Sequence, residues 1–562
     1  MLGLGVGVGA AGLGAWRHVH RPRPRPRAEL GHLANTELNV LFVVTDQERS
    51  WDQLPKGFIE AHCPARASLL ERSVSIDGAH TPIQLCSMAR GAIHSGAHAP
   101  NNGLWENIPV PMAGDLSTEL PTLASMLQDA GFHTGYAGKW HLSKFEGEGS
   151  AAASELGAKI RSYGFDETEC RAELDGANAG LDNDAETIAA SLRFIANQRG
   201  ADKPWFLAVN LVNPHDVMYY TSGEAMTRTR ASEFPSPSVR PPDTPLYQRD
   251  LGYALVGPWG SSTLASRPPA VLEYFEVWNE LLGRMDDSRP EHAREFQNFY
   301  WNCIRDSDRH LATLLAGLDA LGEAERTIIA FCSDHGEYLG AHGLRAKGVS
   351  AYREGSHIPL LIHHPDGLQG VRAPNLASLV DLAPTILGLV GIDRATLAEH
   401  YPSLVGHDLS ELVWDPAART PRDEAGILTY WTGLAYLDRR APRLAAAAMA
   451  KTGLAHKAAL LDMLRQLDWD KRGHMRGLYD GRWKFSRYFS PDDHHLPADL
   501  DTLAARNDVE LYDTAVDPEE RDNLASVAIH RDTLARLNDQ TNALIRAEIG
   551  DDSGDFLPLF AR

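Results

Sequence analysis

Cysteine is scarce in this sequence. Five residues in 562 (Cys63, Cys86, Cys170, Cys303 and Cys332), odd in number and widely scattered, exclude a disulfide framework or a CxxC metal knuckle as the organising device. Positive charge is also short, with 54 Lys and Arg against 75 Asp and Glu and a net charge of −21. That balance removes nucleic acid from the partners to consider, because affinity for a phosphate backbone comes chiefly from basic contacts. Long apolar runs are missing too. The opening MLGLGVGVGAAGLGAW is too short and too rich in glycine for a membrane span, and its basic cluster RHVHRPRPRPR follows it instead of preceding it. Residues 1–36 therefore read as a disordered or targeting tail, since alternating Arg-Pro offers no apolar face to pack. A cytoplasmic location is favoured over export.

From Leu38 the texture changes to short apolar runs alternating with helix-patterned segments, the pattern of an α/β fold in which a mixed, mostly parallel sheet lies between helices. The run Leu38–Val44 ends in Asp46-Gln47, and a strand before Gly138 releases Lys139-Trp140-His141. Trp205–Val212 stops at Asn213-Pro214-His215-Asp216, and Thr327–Phe331 stops at Asp334-His335-Gly336-Glu337. Open α/β sheets build their sites at the carboxyl ends of strands. One such cluster could be a water-facing turn, but four in one chain point to a site.

Thr118–Ala130 has helical apolar spacing closed by Gly131. A catalytic domain over 37–413 contains a proline-rich excursion at about 218–290, suited to a lid or a surface decoration. From about Trp414 to 562 a smaller α+β unit is expected. It holds a helical insertion at Ala441–Leu467, a cover helix or homo-oligomer contact, and a small antiparallel sheet around the Asp480-Gly481 turn.

A buried divalent ion needs anionic ligands, and Asp46 and Asp334 supply two carboxylates, with an amide oxygen from Gln47 and an imidazole from His335. This mixed, mostly hard set suits calcium, magnesium or manganese and does not by itself decide among them; calcium is the ion expected.

The run Cys86-Ser87-Met88-Ala89-Arg90-Gly91, with the glycine-bearing helical pattern after it, resembles the C-x-P-x-R signature of the formylglycine-dependent sulfatases of the alkaline phosphatase superfamily. Gly131–His141 resembles the second signature of that family, and Asp334–Glu337 with Lys347, and Glu510–Asp513 with Asp517-Pro518, match it further along. The resemblance implies an alkaline-phosphatase-like fold and a sulfuric ester hydrolase acting on a small-molecule sulfate ester. It also implies that a formylglycine-generating enzyme oxidises Cys86, which ligates the metal and becomes the nucleophile. One hydroxyl of the hydrated aldehyde attacks sulfur; the other later loses its proton, expelling sulfate as the aldehyde reforms. By family position Arg90 holds the nucleophile's charge, Lys139 and Lys347 bind sulfate oxygens, and His141 assists the hydrate. His215 or Lys347 protonates the departing oxygen, His215 also binding substrate, and Asn107 is a further candidate for a sulfate contact.

The signature departs from the family in carrying Met88 for the usual proline and Ala89 for the serine. Two alternatives stay open: a phosphodiester or phosphonate monoester hydrolase of the same superfamily, against which Lys139 with His141 weighs, and a silent homologue with unmodified cysteine. Maturation replaces the sulfur and two hydrogens of Cys86 by one oxygen. Mass spectrometry of the Cys86 peptide from a competent host is expected to show that loss, and an intact thiol would favour the silent homologue.

Overall fold

A computed structural model describes residues 37–554, apart from 109, 111–112, 146–148, 171–173, 175, 225, 227–237, 263, 434–436, 450–458 and 460–461. The tail through Thr36, part of the proline-rich excursion and part of the 441–467 insertion lie outside the described residues.

Eight strands form the main sheet: β1 (Asn39–Thr45), β2 (Val74–His80), β3 (His133–Gly138), β4 (Glu167–Thr168), β5 (Trp205–Asn210), β6 (Thr327–Ser333), β7 (Leu360–His363) and β8 (Val371–Ser378). Their order is β4-β3-β5-β1-β6-β7-β2-β8. Only β7 runs against its neighbours; the other pairings are parallel. Central strands of such a sheet are covered on both faces and so read as unbroken apolar runs, as NVLFVVT in β1 and TIIAFCS in β6 do. The pleat sends alternate side chains to opposite layers. Val40, Phe42 and Val44 pack with Met88, Ala89 and Ile93 of the Cys86–Ser95 helix and Ile386 of the Leu382–Leu389 helix. Leu41 and Val43 pack on the other face with Ile188 and Phe194 of the Ala179–Asn197 helix and with Leu311, Leu314 and Leu318 of the Pro290–Ala320 helix.

The helix expected over Thr118–Ala130 starts only at Leu123 and ends at Asp129. Pro121 disfavours a helical residue before it. Thr122 then caps the helix, accepting from the Ser125 N–H while the Ser125 hydroxyl reaches back to the Thr122 backbone.

The second sheet is antiparallel, in the order β12-β11-β10-β9. It contains β9 (Ile427–Trp431), β10 (His474–Tyr479), β11 (Trp483–Phe489) and β12 (Asp508–Asp513). The hairpin turns at Asp480-Gly481, where Gly481 takes φ 91°, as that dipeptide suggests. β9 adds a strand that the sequence reading did not contain. Leu537, Leu544 and Ile545 of the Arg531–Glu548 helix cover the face formed by Leu428, Leu478, Phe485 and Leu511.

A buried ion network ties this sheet's helix to the main sheet. Arg422 lies 2.6 Å from Asp381, just past β8, and 2.5 Å from Glu548, which also lies 2.7 Å from His98 Nε2. Burial would raise the Glu548 pKa, but Arg422 and His98 hold it down at about 2, against an ordinary 4.5. Its contribution to stability is therefore present above the ordinary value and is lost as pH falls toward 2. Arg422→Ala strips the shared cation from two buried carboxylates and is expected to lower the unfolding free energy by about 3–5 kcal/mol, read from urea denaturation. A loss below about 1 kcal/mol, the size of a surface pair, would contradict this account.

Candidate active site

The strand order sets β3, β5, β1 and β6 side by side, so the residues released at their carboxyl ends converge. β1 ends into Asp46 and Gln47, β3 into Lys139 and His141, β5 into Asn210 and His215, and β6 into Asp334 and His335. Cys86 joins them at the first turn of its helix, which follows β2 after a short loop. Gln47 and His141 adopt positive φ of 70° and 57°. Such a conformation costs about 1–3 kcal/mol at a non-glycine residue and persists where its surroundings over-determine it. At Gln47 the holders are visible: its N–H donates to Asp334 Oδ1 at 3.1 Å and its carbonyl accepts from Tyr300 Oη at 2.8 Å.

One donor atom each from Asp46, Cys86, Asp334 and His335 falls within 4.8 Å of the others, and all four residues are buried. Cys86 Sγ lies 3.3 Å from His335 Nε2 and 3.8 Å from Asp46 Oδ1. The two carboxylates divide their oxygens. Arg90 spans them, its Nη2 at 3.1 Å from Asp46 Oδ2 and its Nε at 3.0 Å from Asp334 Oδ2. Lys139 Nζ is 2.9 Å from the same Asp46 Oδ2. The Oδ1 atoms turn the other way, each 3.7 Å from His335 Nε2. His335 Nδ1 lies 2.9 Å from the Gly336 carbonyl; that carbonyl only accepts, so Nδ1 carries a proton, and in the neutral ring Nε2 presents its lone pair to the cluster. Gln47 Oε1 accepts from Lys347 Nζ at 2.6 Å, and an amide oxygen has a second lone pair for a metal. Two carboxylate oxygens and an imidazole nitrogen gathered beside Cys86 suit a divalent cation by their chemistry.

The electrostatics follow from burial among opposed charges. Burial would raise the Asp46 pKa, but Lys139, His215, Lys347 and Arg90 hold it well below the usual carboxylate range. Asp334 moves up instead, through burial and the neighbouring Asp46 charge. Burial and Asp46 push the Cys86 thiol up, yet Lys347, Lys139 and His335 prevail and hold it well below its ordinary value. Burial, with Lys347 and Lys139, lowers His215 to about 4, so it is neutral at pH 7.

A second ring orients the first. Ser87 Oγ accepts from the Ile108 N–H at 2.9 Å and lies 3.1 Å from His141 Nδ1. A hydroxyl oxygen has two lone pairs as well as a proton, so it can take either role toward Nδ1, according to the tautomer of His141. Asn107, expected near the sulfate, uses its amide oxygen to accept from the Ser87 N–H at 3.0 Å. Arg90 Nη1 also donates to Asn210 Oδ1 at 3.0 Å.

Besides Ser87, three contributors escaped the sequence reading. Asn210 could have been found as the polar last residue of an apolar strand at this edge; Glu337 adjoins His335-Gly336 but had no assigned role; Tyr300, on a helix about 250 residues further along, gave no local signal. Three further buried histidines have packing partners instead of a place in the cluster. His94 sits among Tyr136, Trp140 and Phe165, His98 pairs with Glu548, and His342 meets Arg267 and Tyr352. Cys63, whose flanking residues mimic the signature, lies in an apolar cluster with Phe58 and Ile304.

The sulfatase family model matches residues 38–392. An uncharacterized sulfatase, YidJ, of Escherichia coli (strain K12) is 26% identical over 350 residues, covering 58% of this chain and 62% of that protein, less than two thirds of its length. Among solved structures, a 2-O GAG sulfatase superposes with a TM-score of 0.63 at 17% identity, covering 92% of this chain and 93% of the other. A phosphonate monoester hydrolase from Silicibacter pomeroyi does so with a TM-score of 0.61 at 17% identity, covering 92% and 96%. At such identities the likeness speaks for the fold, which is the alkaline-phosphatase-like one. Because the family match spans more than half of the 562 residues and takes in every member of the converging cluster, the chain belongs to the sulfatase family.

Proposed function

We propose that this chain is a sulfuric ester hydrolase that cleaves a small-molecule sulfate ester to an alcohol and inorganic sulfate. The observation that carries the reading is the convergence of Cys86, Asp46, Asp334 and His335 within 4.8 Å, bordered by Arg90, Lys139 and Lys347.

The metal set in this reading is Asp46, Gln47, Asp334 and His335 with the side chain at 86, and its mostly oxygen character favours calcium. When bound, a divalent ion supplies a charge that favours the ionised form of an oxygen at position 86 and draws on the sulfate oxygens. Cys86 Sγ stands in for that oxygen, which formylglycine would provide as a hydrate with two hydroxyls on one carbon. Residue 86 is buried, so oxidation by a maturation enzyme has to precede folding.

The protein's own groups then act on charge and protons. Asp46, Asp334 and Glu337 set three formal negative charges against those of Arg90, Lys139 and Lys347. A divalent cation leaves a surplus of two positive charges facing a singly charged ester, an arrangement that favours the extra negative charge of the transition state. Arg90 fixes both carboxylates and so the geometry of position 86. Lys139 and Lys347 hold the sulfate oxygens. His141, held by Ser87 through Nδ1, assists the hydrate. His215 is neutral at pH 7 and can orient the departing oxygen by a hydrogen bond, while Lys347 delivers the proton.

Lys139→Ala and Lys347→Ala are each expected to lower kcat/KM on an aryl sulfate by roughly 10²-fold or more in the matured, metal-loaded enzyme; near-normal rates in both would remove the sulfate-binding assignment. Aryl sulfate is also expected to turn over faster than the matching aryl phosphodiester. The reverse order in a direct comparison of kcat/KM would make the chain a diesterase.

A further inference from the structure

Glu337 follows the Asp334-His335-Gly336 run yet lies outside the metal set, and its buried carboxylate is fully engaged. Oε1 accepts the backbone N–H groups of Leu339 at 2.9 Å and Ala346 at 2.7 Å. Oε2 accepts from Gln47 Nε2. The opposite side of the Gln47 amide faces Lys347 Nζ at 2.6 Å.

An ammonium only donates, whereas an amide has one accepting and one donating end of nearly equal size. Shape alone therefore does not choose how the Gln47 amide points. Lys347 requires the oxygen on its own side, and this is allowed only if the residue opposite accepts from the NH2 group. Glu337 meets that demand with one oxygen while the other is occupied by two N–H donors. The Ala346 bond also fixes the chain immediately before Lys347. The backbone N–H of the same Gln47 meets Asp334 Oδ1 at 3.1 Å, and Lys347 acts through its charge on Asp46, Cys86 and His335, which puts the Gln47–Lys347 pair beside the cluster.

We propose that Glu337 is a positioning residue that locks the Gln47 amide with its oxygen toward the cation site and holds Lys347 against it. This deepens the functional reading above, since it rests on the cluster being a cation site. A glutamine at 337 would keep its oxygen on the Leu339 and Ala346 N–H groups and turn its own NH2 toward Gln47. Then no orientation of Gln47 satisfies both neighbours: donor meets donor either at 337 or at Lys347. Exchanging the two side chains, E337Q with Q47E, remakes every hydrogen bond with the formal charge of the site unchanged. The residue at 337 then donates, and the carboxylate at 47 accepts from it and from Lys347.

The test is titration calorimetry of the full chain with calcium, beside a urea midpoint for each variant. E337Q is expected to weaken binding roughly 10–100-fold, the usual effect of losing a group that orients a metal ligand. E337D keeps the charge but shortens the reach to Gln47, and is expected to lose most of the same affinity. The exchange E337Q/Q47E is expected to restore it. Unchanged affinity in E337Q or E337D, or an exchange variant no better than E337Q, overturns the proposal. If E337Q alone does not fold, the exchange variant decides: folding with restored affinity supports the lock, and failure to bind refutes it. A wild-type chain that binds no calcium, manganese or magnesium would instead overturn the parent reading, so the two failures are distinct.

Discussion

Two carboxylates buried side by side repel, and the hydrogen bonding of a sheet does nothing to offset that repulsion. Asp46 and Asp334 stand at the ends of adjacent strands, pushed together by the pairing of β1 with β6. Much of the surrounding structure answers that constraint. Arg90 reaches from its helix to bridge both, Lys139 arrives from β3, and Asn210 at the end of β5 receives the remaining guanidinium edge. Each cation takes an Oδ2 atom and leaves the Oδ1 atoms turned toward His335. A cluster assembled this way pairs each buried carboxylate with a cation while leaving the Oδ1 atoms for a ligand.

The same constraint explains why so much polar chemistry is buried without visible loss of order. Burying a charge is costly unless it is paired and hydrogen-bonded, and the site meets that condition in rings. Ser87 and Asn107 hold the start of the Cys86 helix and His141, while Tyr300, the Asp334 carboxylate and Glu337 hold Gln47. Positive φ at Gln47 and His141 is strain that these contacts sustain. Away from the site the Asp381–Arg422–Glu548 network repeats the principle, joining the edge of the main sheet to the terminal helix.

Much of the fold was legible because strand and helix patterns are local. β1, β5 and β6 were each visible as an apolar run with a polar stop, and the hairpin of β10 and β11 was visible from Asp480-Gly481. β9 was missed because a run as short as ILTYW carries no periodicity by which to tell strand from helix. The Thr118–Ala130 helix was drawn too long because apolar spacing outweighed the Pro121-Thr122 start signal. In the site, motif residues at strand ends were found, and groups that act through others were not. Nothing near Asn210, Ser87 or Tyr300 in the chain announces what each one touches.

By itself the sequence determined the inventory: which ligand-capable and cationic groups exist, at which strand ends they emerge, and which family they belong to. Tertiary structure alone decided how they share atoms. Gln47 and Lys347 are 300 residues apart, and Arg90 and Asp334 are 244 apart; which oxygen of a carboxylate meets which donor depends on strand order and close packing. Residue type and strand pattern are properties of neighbours along the chain, whereas the direction of a hydrogen bond is settled only where distant segments are held together.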